Sequence, residues 1–389
     1  MAKLSIIVPT HDRAQYAVPT IRYLLDTCHD AEIVVADSSE EDKLTDGLND
    51  HPRFSQVRLL RPEKRPMSVV DNFNFGLRHS TGDYLVFLGD DDFVMPIVGD
   101  VCDWMQSNDI DVVKFTFPAL YFWPDFQHKR LAGSLGGTLH LAPFTGKASI
   151  YDPRKALAEA LDNFGGGVMD MPRAYAGMVS RQLVQRIANE YGDLFGGVSP
   201  DIYSSALISM CSSKCVYLDY PVLIPGASSA STAGQSANGQ HIGKLRENAH
   251  IAPFTDLVWD ARIPEFYSVP TVWSFSLLKA VEKLGIKMDR VNFMRLYLKC
   301  YLYHADYRSV TREAFRHSRE NGFLRNAMVS CAIALLRESR WVFGKIVDRI
   351  ARRFKASKID VLVDVQDLNA ARREIESRTG RVAYRLPNL

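Results

Sequence analysis

The stretch NFGLRHSTGDYLVFLGDDDFVMP, residues 74–96, decides how the chain is read. Within it, Tyr84-Leu85-Val86-Phe87-Leu88-Gly89 is an apolar run bounded by turn-forming residues, the pattern of a fully buried strand. Asp90, Asp91 and Asp92 follow at once, shortly before Pro96. They therefore stand at the carboxyl end of a strand, the edge where open α/β sheets bind ligands. Like charges packed there repel one another, and a hard divalent cation that itself holds a diphosphate is the usual neutraliser.

Outward from this stretch, the first third of the chain alternates short apolar runs with amphipathic segments. Strands are predicted over 5–8, 32–36, 57–60, 84–88 and 111–115, with helices over 18–28, 68–79 and 97–105. That order predicts right-handed βαβ units and a mostly parallel sheet with helices on both faces. From 118 to 146 the sequence is rich in aromatics, glycine and proline and reads as irregular surface structure. Asp152 and Pro153 signal a helix start, followed by the Gly165-Gly166-Gly167 break. A strand is then expected over 175–179, helices over 181–190 and 201–212, and strands over 215–218 and 222–224. Residues 226–239 are mostly small and predict a mobile loop. Beyond it the sequence reads as helical, which places a domain boundary near residue 240, with one part over 1–240 and the other over 241–389.

Composition narrows the function. The 389 residues are 47% hydrophobic and 24% charged, ordinary for a globular protein, and a net charge of +2 gives no general affinity for polyanions. Six scattered cysteines without CxxC spacing argue against a disulfide framework or a structural zinc site. A strand at the very start leaves no room for a signal peptide, and no apolar stretch approaches the roughly 20 residues that span a bilayer. Together these features predict a cytoplasmic location.

The turns after the first two strands, Val8-Pro9-Thr10-His11-Asp12-Arg13 and Val35-Ala36-Asp37-Ser38-Ser39, fall on the same sheet edge as the acidic run. There Asp37 can accept an imino hydrogen bond from a pyrimidine, and Arg13 with the neighbouring hydroxyls can hold ribose or phosphate. An ordinary helix cap is the other account of Asp37-Ser38-Ser39.

With SIIVPTHDR at 5–13, IVVADSSE at 33–40 and the stretch 74–96, residues 1–225 resemble the family 2 glycosyltransferases of the GT-A fold. The resemblance implies an inverting transferase that takes a nucleotide-diphospho-sugar, UDP- or dTDP-linked, to a glycan or glycolipid acceptor in bacterial cell-surface polysaccharide synthesis. It implies Mn²⁺ or Mg²⁺ at a DXD-type motif. In this chain Gly89 stands where the first acid often lies, so the matched ligand is Asp91, with Asp92 beside it and Asp90 near the donor ribose or sugar. Pro9, Thr10 and Asp37 match nucleotide-contacting positions, and Ser39 lies in the same turn. Asp201, after Pro200, matches the general base at a helix start, for which an N-cap is the alternative. A carboxylate is needed there because an acceptor hydroxyl is a poor nucleophile until its proton is taken.

Three further features follow from the residues alone. His241, just past the small-residue loop, is either a solvent-exposed or capping histidine or a metal or diphosphate ligand that reaches the site upon loop closure. Tyr121, Phe122 and Trp123 form either a sugar-stacking platform or core. The basic amphipathic stretch containing Arg337, Arg340, Lys345, Arg349, Arg352, Arg353, Lys355 and Lys358 suits an anionic membrane surface, or a helix docked on its own protein. No nucleic-acid module accompanies it. A nucleotidyltransferase on a related sheet and a non-catalytic sugar-nucleotide-binding module are the alternative functions.

Overall fold

The computed structural model describes residues 3–63, 67–127, 135–231, 242–323, 327–354 and 359–379. Its centre is the apolar run of residues 84–88. Strand β4 (Tyr84–Phe87) is buried along its whole length. Strands β1 (Leu4–Thr10), β2 (Ala31–Asp37) and β3 (Val57–Leu60) build outward from it. All of these run parallel, with Ile7 level with Phe87 on one side and Thr10 level with Asp37 on the other. β-branched residues crowd β1 and β2, where both faces are covered and pleated packing suits them.

Helices α1 (Ala14–Thr27), α2 (Lys43–Leu48) and α3 (Val69–Arg78) are the crossovers. Ser68 caps α3 by accepting from the Asp71 amide, and α3 lays Val70, Phe73 and Gly76 against the sheet. The close approach at Gly76 is forced: a Cβ there would lie 2.7 Å from Ile7. After the acidic turn come the short strand β5 (Phe93–Val94), helix α4 (Val98–Ser107) and β6 (Val112–Phe115).

The segment 118–146 departs from the irregular surface expected of it. It contains two antiparallel strands, β7 (Ala119–Phe122) and β8 (Thr138–Leu141), and its aromatics Tyr121, Phe122 and Trp123 are buried. Glycines and prolines mark the ends of this hairpin-like excursion, while its apolar residues fill a second layer beneath the acidic turn. Strand β9 (Ala148–Ile150) follows, then helix α5 (Pro153–Asp162), capped by Asp152 as its sequence indicates.

Strand β10 (Gly177–Ser180) inserts antiparallel between β4 and β6, and leads through the Ser180 cap into α6 (Arg181–Tyr191). Helix α7 (Pro200–Cys211) and β11 (Cys215–Leu218) complete the main sheet, whose order is β3-β2-β1-β4-β10-β6-β11-β9. Strands β12 (Leu223–Ile224) and β13 (Gly226–Ala227) then return to the acidic turn, pairing with β5 and β7. The loop expected to be mobile is thus held at its start: Ser228 and Ser231 are buried, while residues 232–241 lie outside the described residues.

The remainder is largely helical: α8 (Val269–Lys283), α9 (Phe293–Tyr303), α10 (Arg308–Glu320) and α11 (Ala327–Phe354). The all-helical expectation fails near the C-terminus. Strand β14 (Asp360–Leu362) pairs with β8, and α12 (Leu368–Thr379) buries Leu368, Ala371 and Ile375 in the same core as α1 and β1. Among the described residues no helix is long and apolar enough to cross a membrane.

Phe87 couples the central strand to the layer above it. Its ring stacks on Phe73 at 5.4 Å and meets Phe195 edge-on at 4.7 Å. Truncating such a side chain removes its transfer energy and leaves a cavity. Phe87→Ala is expected to lower the unfolding free energy in urea by about 3–5 kcal/mol.

Candidate active site

The acids of residues 90–92 sit where β4 ends, and all three are at most 5% exposed. Each is held differently. Asp90 accepts from the Thr10 hydroxyl at 2.7 Å and pairs with Arg13 Nη1 at 2.9 Å. Asp91 Oδ2 pairs with Arg13 Nη2 at 2.9 Å and accepts from the Ser228 hydroxyl at 2.6 Å. Arg13 also donates to Ser228 Oγ at 2.9 Å, so guanidinium, carboxylate and hydroxyl close a triangle. The Tyr16 ring lies 5.2 Å from the guanidinium carbon, and its hydroxyl donates to Asp125.

Asp92 faces another way. Its Oδ1 accepts from the Gly226 amide at 2.7 Å, and its Oδ2 from the Gly89 amide at 3.2 Å and the Tyr175 hydroxyl at 3.1 Å. Burial pushes the Asp90 carboxyl above the usual range against the pull of Arg13, and burial with the Asp91 charge does the same to Asp92. Burial alone would lower Arg13, but Asp90 and Asp91 hold it above its ordinary value.

The metal expectation does not match this arrangement. Among the described residues no three His, Cys, Asp or Glu side chains come together as a ligand set. Asp91 shares its neighbour with Asp90, and that neighbour is a guanidinium, while the Asp92 carboxylate is committed to two backbone amides and a phenol. His241 lies outside the described residues. Trp123 offers no open face either: it is buried, donates from Nε1 to the Asp91 carbonyl at 2.8 Å and packs edge-on against Tyr16 at 5.2 Å.

The turn after β2 lies beside the turn after β1. The Ser38 amide donates to the Thr10 carbonyl at 3.1 Å and the Asp12 amide to Ser39 Oγ at 2.7 Å, while Pro9 stands level with Ala36. Asn72 of α3 ties both strand ends by donating to the carbonyls of Thr10 and Ala36. Asp37 is fully buried. Its Oδ1 accepts from the Ser39 amide at 2.9 Å, whereas its Oδ2 has no hydrogen-bond partner. Arg61 approaches that oxygen only to 3.6 Å, beyond hydrogen-bond length. A cavity of about 270 Å³ opens beside it, lined by Asp12, Gln15, Asp37, Ser39 and Lys43.

Asp201 occupies the first turn of α7 and accepts from Ser199 Oγ at 2.8 Å. Arg173 Nη1 lies 3.9 Å from its other oxygen, and burial pulls Arg173 below the usual guanidinium value. Tyr175, two residues on, is the partner of Asp92, so a single segment connects the acid of α7 to the acidic turn. A larger cavity of about 1140 Å³ lies against this helix, lined in part by Ser68, Asp71, Gly197, Tyr203, Phe254 and Lys279.

Thr10, Arg13, Asp90 and Asp91 are thus brought into one cluster, Asp37 and Ser39 into the adjoining one, and Asp201 stands across the segment of Arg173 and Tyr175. Sequence reasoning missed Ser228, Gly226, Arg61, Arg173 and Tyr175. None belongs to a local motif; their roles arise from long-range strand insertion.

Two expectations follow. A Cβ at Gly226 would collide with the Asp91 carbonyl oxygen, so Gly226→Ala is expected to displace β13, free the Asp92 carboxylate and lower the urea unfolding free energy by about 1–3 kcal/mol. Because the raised Asp92 carboxyl favours its neutral form in the folded state, its contribution to stability is present below about pH 4 and is lost as pH rises through its folded value. Urea unfolding across that range is expected to show Asp92→Asn gaining on the wild type as pH rises.

Residues 5–148 match the family model described as Glycosyl transferase family 2. Among solved structures, S. aureus TarS 1-349 is similar at 12% identity and a TM-score of 0.42, over 82% of this chain and 92% of that one. The longer S. aureus TarS structure is similar at 13% identity and a TM-score of 0.42, over 80% and 55%. TarS 1-349 in complex with UDP-GlcNAc gives 12% and 0.41, over 82% and 92%. No curated protein matches by sequence. The family match spans the turns after β1 and β2 and the acidic turn after β4. Over residues 5–148, the part of the chain that holds these three turns, the sequence is similar to glycosyl transferase family 2.

Proposed function

We propose that this glycosyltransferase moves a sugar from a UDP- or dTDP-linked donor to a hydroxyl of a glycan or glycolipid acceptor, with inversion at the anomeric carbon. The observation that carries the donor reading is the buried Asp37 Oδ2, which accepts no hydrogen bond and has only the Arg61 guanidinium at 3.6 Å, beside a cavity at the carboxyl ends of β1 and β2. An unmet buried acceptor is costly, and the N3–H of uracil or thymine is a donor that would satisfy it. The Thr10 and Asp12 end of the site then faces ribose and diphosphate.

For transfer, the acceptor oxygen attacks the anomeric carbon as the bond from that carbon to the diphosphate oxygen breaks, releasing the nucleoside diphosphate. Asp201 takes the acceptor proton. Its place supports that role: Ser199 and Arg173 orient the carboxylate, and Gly197 and Tyr203, on either side of it in the chain, line a cavity large enough for an extended acceptor. Metal chemistry forms no step of this reading.

The described part of α11 supports a peripheral location on membrane. Met328, Val329, Leu336 and Phe343 are exposed, while the opposite face docks through Glu338, which accepts from Arg295 and Tyr303. The side chains of Lys345 to Lys358 lie outside the described residues.

Asp201→Asn keeps the shape of the base and removes its function. Thermal stabilisation by UDP or dTDP is expected to survive the substitution, while release of nucleoside diphosphate from a donor sugar falls by about 100- to 10,000-fold. Pyrophosphate in place of nucleoside diphosphate among the products would instead identify a nucleotidyltransferase, and undiminished turnover would remove Asp201 from the reaction.

A further inference from the structure

Arg13 occupies the position at the acidic turn where a divalent ion was expected. Its two terminal nitrogens each lie 2.9 Å from a carboxylate oxygen, one of Asp90 and one of Asp91. One planar cation therefore bridges consecutive acids, as a metal ion would, but through directed N–H bonds. The surroundings are built for a guanidinium. Ser228 accepts from Arg13 and donates to Asp91, Thr10 donates to Asp90, and the Tyr16 ring lies alongside. A divalent ion entering between the two acids would meet a fixed positive charge at contact distance, with no water layer to screen it. Arg13 Nε is meanwhile a buried donor without a partner, the kind of group a phosphate oxygen satisfies.

We infer that Arg13 is the built-in cation of the acidic turn: it holds the slot between Asp90 and Asp91 against divalent metal, and the donor diphosphate binds without one. This deepens, and rests on, the nucleotide-diphosphate reading of the same site.

Two measurements on the full chain test it, after stripping with chelator. In the first, Mn²⁺ alone is titrated and the free aquo ion followed by electron paramagnetic resonance. Arg13→Ala is expected to bind Mn²⁺ at least about tenfold more tightly than the wild type, and Arg13→Lys to stay close to the wild type. Adding Asp91→Asn to Arg13→Ala should abolish the gain. In the second, UDP binding is measured calorimetrically with EDTA or with Mn²⁺. The wild type is expected to bind equally in both, whereas Arg13→Ala weakens by about tenfold or more in EDTA and recovers with Mn²⁺. A purely structural role for Arg13 would give no metal rescue. Wild-type protein that binds Mn²⁺ as tightly as Arg13→Ala, or that loses UDP in EDTA, overturns the inference. Absence of UDP binding in both buffers, with the Mn²⁺ contrast intact, overturns the nucleotide reading and leaves the cation assignment standing.

Discussion

The constraint on which the site depends is the burial of three adjacent carboxylates at the end of a central strand. An ionised acid removed from water costs several kcal/mol unless it is paired and hydrogen-bonded. Asp90 and Asp91 meet that requirement through Arg13 and hydroxyl donors, whereas Asp92, without a cation, is held by hydrogen bonds alone and its pKa is raised; the partners come from distant chain segments. Arg13 and Thr10 come from the first turn, Ser228 and Gly226 from the strap after β12, and Tyr175 from the segment before β10. The geometry of the candidate active site is therefore a product of neutralising β4's carboxyl end.

That requirement also accounts for the architecture around it. Strand β10 must run antiparallel for Tyr175 to reach Asp92, because its chain enters from the edge where β4 ends. The same entry places Arg173 near α7, so the support of the acidic turn and the support of Asp201 are one structural unit. Trp123 extends the arrangement beneath the turn, donating to the Asp91 carbonyl while its ring closes the layer over Tyr16.

Much of this was legible in the sequence where periodicity and turn chemistry act locally. The parallel order of β1 to β4, the cap at Asp152, and the strands Val57–Leu60 and Cys215–Leu218 follow from apolar runs and their flanks. The turns holding Thr10, Asp37 and Asp90 were placed on one edge for the same reason. What escaped depends on pairing across long separations. Ala119–Phe122 reads as loop because its partner, Thr138–Leu141, is separated from it by glycine- and proline-rich sequence. Tyr121 and Trp123 were ambiguous between platform and core, since an aromatic run carries no sign of which layer it joins. The role of Arg13 was legible only as a positive charge near phosphate; its bidentate grip on Asp90 and Asp91 is a three-dimensional fact.

The packing of residues 360–375 on β8 and the first helix has a consequence for biogenesis. Residues 360–362 add a strand to β8, and Leu368, Ala371 and Ile375 fill a core shared with the first helix. During vectorial synthesis on a ribosome, the amino-terminal half emerges long before those partners exist, leaving a bare sheet edge and an apolar patch. Completion of the half that carries the candidate active site thus waits until residues 360–375 have been made, which favours chaperone shielding of the nascent polypeptide and penalises truncation ahead of them.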